Sequence, residues 1–245
     1  MGPGMIGAEQ LSLGLPTPEA MERDDFLPAP SNLLALTALD DPAGLPSGLA
    51  VLSGPPGAGK THLARLWAAR TGARWQPVAA LAADLPMLLA PGTTPRALVI
   101  DEAQRLAGTP GEEALFHLLN HLRGRGQVLL TASGPARDWG VRLPDLASRL
   151  AVGAHLALLP PDEALLAAVL VKLFDDRQIR VEPSLIDYLV SRMERSLAAA
   201  RGLVNRLDAL ALQRQCRISR DLAREVLNAD IEGETATPGT LDSGV

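Results

Sequence analysis

The sequence predicts an α/β fold, a five-stranded parallel sheet flanked by helices, followed by a small C-terminal helical domain. Three observations predict it. Short apolar runs at 50–52, 97–100 and 128–130 are bounded by turn residues and read as strands buried on both faces. Stretches of helical period lie between them, which is the alternation of a parallel sheet. Beyond Pro160-Pro161 the strand patterns stop and only helical ones remain.

Composition permits this. The chain has 245 residues, 47% hydrophobic and 21% charged, enough to bury a sizeable core. Only 3% is aromatic, so Leu, Ala and Val must build that core. The balance of 23 basic against 28 acidic residues gives a formal charge of -5, which argues against a dedicated DNA-binding domain. No apolar run reaches the roughly 20 residues of a membrane helix, and no basic-then-apolar leader opens the chain. A cytoplasmic location without membrane contact is therefore expected. One cysteine, Cys216, excludes an intramolecular disulfide and a cysteine-cage zinc site. Lys60 and Lys172 are the only lysines in an Arg-rich chain.

Element by element, residues 1–24 read as a flexible tail. Ser31 is a candidate N-cap for a short helix, and 45–48 is a turn. The strand at 50–52 leads through a Gly-rich loop into a helix from Thr61 to about Arg70. A second strand is expected at 74–78, a third at 97–100, a helix at 112–122, a fourth strand at 128–130 and a fifth at 156–159. The α/β domain thus spans 25–160. Helices at 163–174, from Pro183, at 197–213 and at 221–227 form a lid over 161–230. Residues 231–245 are polar and expected to be a disordered tail.

The chemistry concentrates after the first strand. Gly54-Pro55-Pro56-Gly57-Ala58-Gly59-Lys60-Thr61 matches GxxxxGK[ST] between a predicted strand and a predicted helix, the context such a phosphate-binding loop requires. Its glycines let backbone N–H groups surround phosphate oxygens, and the helix N-terminus adds partial positive charge. Lys60 reaches outer phosphates, and Thr61 can ligate Mg²⁺. The strand at 97–100 then delivers Asp101 and Glu102 at its C-terminal end, where open α/β sheets bind ligands. Asp101 suits Mg²⁺, and Glu102 suits a general base that orients water.

Together the loop, the Asp101-Glu102 pair and the helical lid resemble an AAA+ nucleotide-binding module. More narrowly, the chain resembles the DnaA clade, and within it the Hda group of DnaA-related inactivators, over roughly residues 9–228. That resemblance implies ADP or ATP with Mg²⁺ as ligand, bound by residues 55–62 (Pro55, Pro56, Gly57, Ala58, Gly59, Lys60, Thr61 and His62). Phe26-Leu27-Pro28-Ala29-Pro30-Ser31-Asn32 resembles the segment that brings an Asn near the adenine, which implies that role for Asn32. Leu143-Pro144-Asp145-Leu146-Ala147-Ser148-Arg149-Leu150 resembles the arginine-finger segment and implies that Arg149 points at a neighbour's γ-phosphate. An ion pair to Asp145 one turn away is the structural alternative. Arg201 matches the sensor-2 position, with a solvated helix face as its alternative. Ser133 stands at the sensor-1 position, where relatives often carry Asp.

Gln10-Leu11-Ser12-Leu13-Gly14-Leu15 resembles a sliding-clamp-binding peptide. Such a peptide places an amide in a polar pocket and leucines in an apolar one. The expected partners are thus the sliding clamp (the DNA polymerase III beta subunit), DnaA, and DNA indirectly through the clamp, with a homodimer compatible. The implied function is negative regulation of replication initiation, in which Arg149 stimulates hydrolysis of DnaA-bound ATP. Lys60, Thr61, Asp101 and Glu102 leave an intrinsic ATPase open. A DNA-remodelling or helicase-loading ATPase that acts without the clamp is the alternative. His117 and His121, four apart, lack a third ligand and read as a polar helix face. The Arg-rich lid reads as solvated surface.

Overall fold

A computed structural model describes residues 26–41 and 45–235 of the chain. The sheet has the order β2-β3-β4-β1-β5 and every pairing is parallel. The central strand β1 (Leu49–Ser53) lies between β4 (Gln127–Ala132) and β5 (Ala154–Ala157). Beyond β4 come β3 (Ala97–Ile100) and the short edge strand β2 (Arg74–Trp75).

Alternation within the strands assigns the two faces. Leu49 and Val51 of β1, with Leu98, Ile100, Val128 and Leu130, pack against α3 (Leu81–Leu89), α4 (Gly111–Leu122) and α5 (Pro144–Val152). Ala50 and Leu52, with Val99 and Leu129, pack against α1 (Leu33–Asp40) and α2 (Lys60–Thr71). Leu52, Leu98, Ile100 and Leu129 are fully buried. Each such side chain contributes about 1.5–3 kcal/mol, so the strands that carry the site are firmly anchored in the core. A third cluster holds the lid: α6 (Glu163–Asp175), α7 (Pro183–Val190), α8 (Leu197–Arg214) and α9 (Arg220–Thr235) close around Phe174, Leu189 and Leu203. No helix among the described residues is long and apolar enough to cross a membrane.

The expected sheet and lid are present; three boundaries move and one helix is added. β2 stops at Trp75 instead of running to 78. Gln76 still donates to Val99, but Pro77 has no N–H and cannot continue the ladder. β5 begins at Ala154, before the expected 156. Leu158 donates to Ser53 and Leu159 turns away to Ser31, so the apolar pair leaves the strand. Helix α3 has no counterpart in the sequence reading and carries Pro86 inside it. Finally, α9 runs to Thr235 and so extends into the stretch read as a tail from 231. The clamp-type peptide at Gln10, Leu11, Ser12, Leu13 and Leu15 lies outside the described residues.

Candidate nucleotide site

The phosphate-type loop joins β1 to α2 at the C-terminal edge of the sheet, with Gly57 and Gly59 at positive φ of 73° and 97°. Glycine at 57 is also a matter of space. A Cβ there would come within 2.5 Å of the Ser196 Cβ in the lid. The Leu197 N–H donates to the Gly57 carbonyl at 2.9 Å, and the Ser196 hydroxyl caps α8 by accepting from the Ala199 N–H at 3.0 Å. The start of α8 is thus seated directly on the loop. Pro55 is half-buried, Pro56 is exposed and Ala58 is buried. Phe26 meets the His62 ring edge-on at 5.5 Å, which brings the segment ahead of α1 against the start of α2.

Lys60 donates from Nζ to the Gly54 and Pro55 carbonyls, both at 2.8 Å. Burial pushes its ammonium below the usual lysine range, and Asp101 and Glu102 oppose that shift. The Thr61 hydroxyl donates to the Asp101 carboxylate at 3.0 Å. This clusters hard oxygen donors beside a lysine at the mouth of a glycine cradle, a set that fits a polyphosphate with Mg²⁺.

Thr131, which the sequence reading passed over, organises the acidic end of the site. It is fully buried at the end of β4, donates from Oγ1 to the Asp101 carboxylate, and accepts from the Glu102 N–H at 3.1 Å. The signal was a hydroxyl interrupting a buried apolar strand. Ser133, expected at the sensor-1 position, lies exposed just past the end of β4. Glu102 sits in the left-handed region at φ 57°, a conformation non-glycine residues adopt at a cost. Its carboxylate takes a 2.7 Å bond from Arg105 at the surface.

Asn32 is buried and directly precedes α1, but its amide serves the loop before it. Oδ1 accepts from the Ala29 N–H at 2.9 Å, and Nδ2 donates to the Leu27 carbonyl at 3.0 Å. It, rather than Ser31, occupies the N-cap position. Arg201 is exposed on α8, about one turn beyond Leu197, whose N–H donates to the Gly57 carbonyl. Arg149 is half-buried on α5 and donates from Nη2 to the Asn120 amide oxygen at 2.7 Å, not to Asp145. His117 is exposed and His121 contacts Thr94 at 3.3 Å.

A buried carboxylate ties down the segment that leads into α5. Glu112, at the start of α4, accepts from the N–H groups of Gly108 at 2.6 Å, Leu143 at 2.8 Å and Arg142 at 3.0 Å. Burial alone would raise its pKa, but those donors outweigh burial and hold the carboxyl below its ordinary value.

The chain matches no protein-family model. Its similarity is to bacterial initiators. It is 28% identical to the chromosomal replication initiator protein DnaA of Cutibacterium acnes over 145 residues, covering 58% of this chain and 29% of that protein. It is 27% identical to DnaA of Symbiobacterium thermophilum over 132 residues, 53% of this chain and 29% of that one. The chain therefore spans under a third of the length of these curated relatives. Domain III of DnaA from Thermotoga maritima superposes with a TM-score of 0.75 at 20% identity, covering 88% of this chain and 98% of that domain. The described chain therefore has the fold of DnaA domain III. AMPPCP-bound DnaA from Aquifex aeolicus matches with a TM-score of 0.66 at 19% identity, over 86% of this chain and 68% of that one. RuvB, the Holliday junction branch migration motor of Thermotoga maritima, matches at 0.69 and 22%, over 85% and 72%. At these identities the likeness to solved structures is one of fold.

Proposed function

We propose that this AAA+ domain is a regulator of replication initiation, tethered to the sliding clamp by Gln10–Leu15 and acting on ATP-bound DnaA through Arg149. The observation that carries the reading is the state of Arg149. Its half-buried guanidinium on α5 donates to a neutral amide and is in no ion pair among the described residues, which leaves its charge available to an anion outside the chain.

The chain's own site plays the supporting part. Backbone N–H groups of the loop and Lys60 hold phosphates, Asn32 and the segment before it border the base, and Arg201 approaches the phosphates from the lid. Thr61 and Asp101 are the residues that would hold Mg²⁺. When bound, ADP or ATP with Mg²⁺ supplies charge that draws loop and lid together. Glu102, bonded outward to Arg105, would have to leave that partner to orient water, which suits a slow intrinsic ATPase. In the regulatory step, Arg149 approaches the γ-phosphate of the ATP held by DnaA and stabilises the charge that develops as that bond to the β-phosphate oxygen breaks. A trans-acting Arg of this kind is worth about 10³–10⁵ in rate. The clamp raises the effective concentration of the pair and brings DNA close, without adding chemistry. A homodimer, and residence at the replisome, are compatible with these roles.

The test is hydrolysis of ATP pre-bound to DnaA, with this protein and clamp loaded on DNA. Stimulation lost in Arg149→Ala, and in a variant with Gln10, Leu11 and Leu13 changed to Ala, supports the reading. Clamp-independent hydrolysis by the chain itself would instead favour a remodelling ATPase.

A further inference from the structure

We infer that α4 sets the arginine finger, with Asn120 and Glu112 acting as positioning residues for Arg149. This deepens the proposed function and rests on it.

A free arginine side chain loses about 2 kcal/mol of rotamer entropy when fixed in one geometry. Here part of that ordering is done in advance, because Nη2 already rests on the Asn120 oxygen at 2.7 Å. The chemistry of the tether matters as much as its presence. A neutral amide orients the guanidinium without neutralising it, and a phosphate outcompetes it, since an anionic acceptor adds full Coulombic attraction and can take a bidentate pair of bonds from the guanidinium. A carboxylate at the same place would hold Arg149 as an ion pair. The nearest candidate on its own helix, Asp145, is exposed and makes no contact with it.

The helix that carries Arg149 is fixed by the same α4. Leu143, the residue before α5, and Arg142 both donate to the Glu112 carboxylate. Glu112 also holds the N–H of Gly108, at the far end of the turn that begins at Glu102. One helix therefore grips the base of the finger through Glu112 and the tip through Asn120. On the exposed side of α5, Ser148 and Val152, the latter 63% exposed, flank the finger and offer a partner surface.

The experiment compares Asn120→Ala and Asn120→Asp with wild type and Arg149→Ala. It reads the maximal rate of DnaA-bound ATP hydrolysis, the concentration of this protein giving half that rate, its own ADP affinity and its melting temperature. It also reads the rotation rate of the Arg149 guanidinium by NMR. Asn120→Asp should lower the maximal rate about ten-fold or more by forming a competing ion pair, and Asn120→Ala about five-fold by loss of preorganisation. Half-saturating concentration, ADP affinity and melting should stay near wild type, and guanidinium rotation should speed up in Asn120→Ala. A maximal rate for Asn120→Asp equal to wild type, with Arg149→Ala inactive, overturns the inference and leaves the finger reading standing. Unchanged rotation in Asn120→Ala overturns it without reference to any partner. If Arg149→Ala is as active as wild type, or wild type gives no stimulation, the finger reading itself fails and the positioning role with it.

Discussion

Thr131→Val is the substitution that most sharply tests how the acidic end of the site is built. Valine keeps the shape of a fully buried side chain and removes only the hydroxyl. That hydroxyl donates to Asp101 and accepts from the Glu102 N–H at 3.1 Å. A buried donor or acceptor left unpaired costs about 1–3 kcal/mol. Asp101 retains Thr61 as a donor and Glu102 is partly open to water, so the lower end applies to each, about 2 kcal/mol in all. A chain of this size loses about 2–4 °C per kcal/mol, which gives a fall in melting temperature of about 4–8 °C. Because Asp101 and the backbone of Glu102 lose a shared anchor, Mg²⁺-nucleotide affinity should fall as well. Thermal unfolding by circular dichroism and ADP titration with and without Mg²⁺ read both effects, with Thr131→Ser, which keeps the hydroxyl, close to wild type in nucleotide binding. A valine variant that melts within about 1 °C of wild type and binds Mg²⁺-ADP equally well would refute the assignment.

Other consequences follow from the same geometry. Gly57→Ala places a methyl against Ser196 at a positive φ, so it should weaken ADP binding by lifting the start of α8; tight binding by that variant would show that lid contact is dispensable. Lys60→Ala should abolish the stabilisation that ADP gives wild type, about 2.7 kcal/mol at a ligand concentration 100 times Kd, read as a ligand-dependent shift in melting. Glu112 has a folded-state pKa below its ordinary 4.5, so its stabilising contribution is full above that value and is lost as pH falls through the folded pKa. As pH falls from above 4.5 through the folded pKa, the wild type should therefore lose more stability than Glu112→Gln; equal losses would contradict the role of that carboxylate.

The buried strands were the most legible part of the chain, since a parallel strand covered on both faces writes itself as an uninterrupted apolar run. β1 and β3 obey that rule, and β4 obeys it over 128–130 before the Thr131 hydroxyl. The edges do not, because there a single backbone feature decides: Pro77 ends β2, and the turn of Leu159 toward Ser31 ends β5. Helix α3 stayed hidden because Pro86 sits inside its nine residues, where proline ordinarily argues against a helix. In the site, the motif order of loop, lysine and Asp101-Glu102 was readable because it is local. The partners that hold those groups are not. Thr131 reaches Asp101 across 30 residues, Asn120 reaches Arg149 across 29, and Glu112 reaches Leu143 across 31. The local alternative for Arg149, an ion pair with Asp145 one turn away, was the only one spacing could suggest, and the fold supplies a different partner.

The central claim is that Arg149 acts on a nucleotide held by another chain. The most direct measurement is single-turnover hydrolysis of ATP pre-bound to DnaA, at saturating concentrations of this protein with clamp-loaded DNA, for wild type and Arg149→Ala. The account predicts that the variant binds its own ADP and melts like wild type but loses at least about 10³-fold in stimulated rate. A variant that stimulates hydrolysis as well as wild type, or a wild-type chain that gives no stimulation in either nucleotide state, would contradict it.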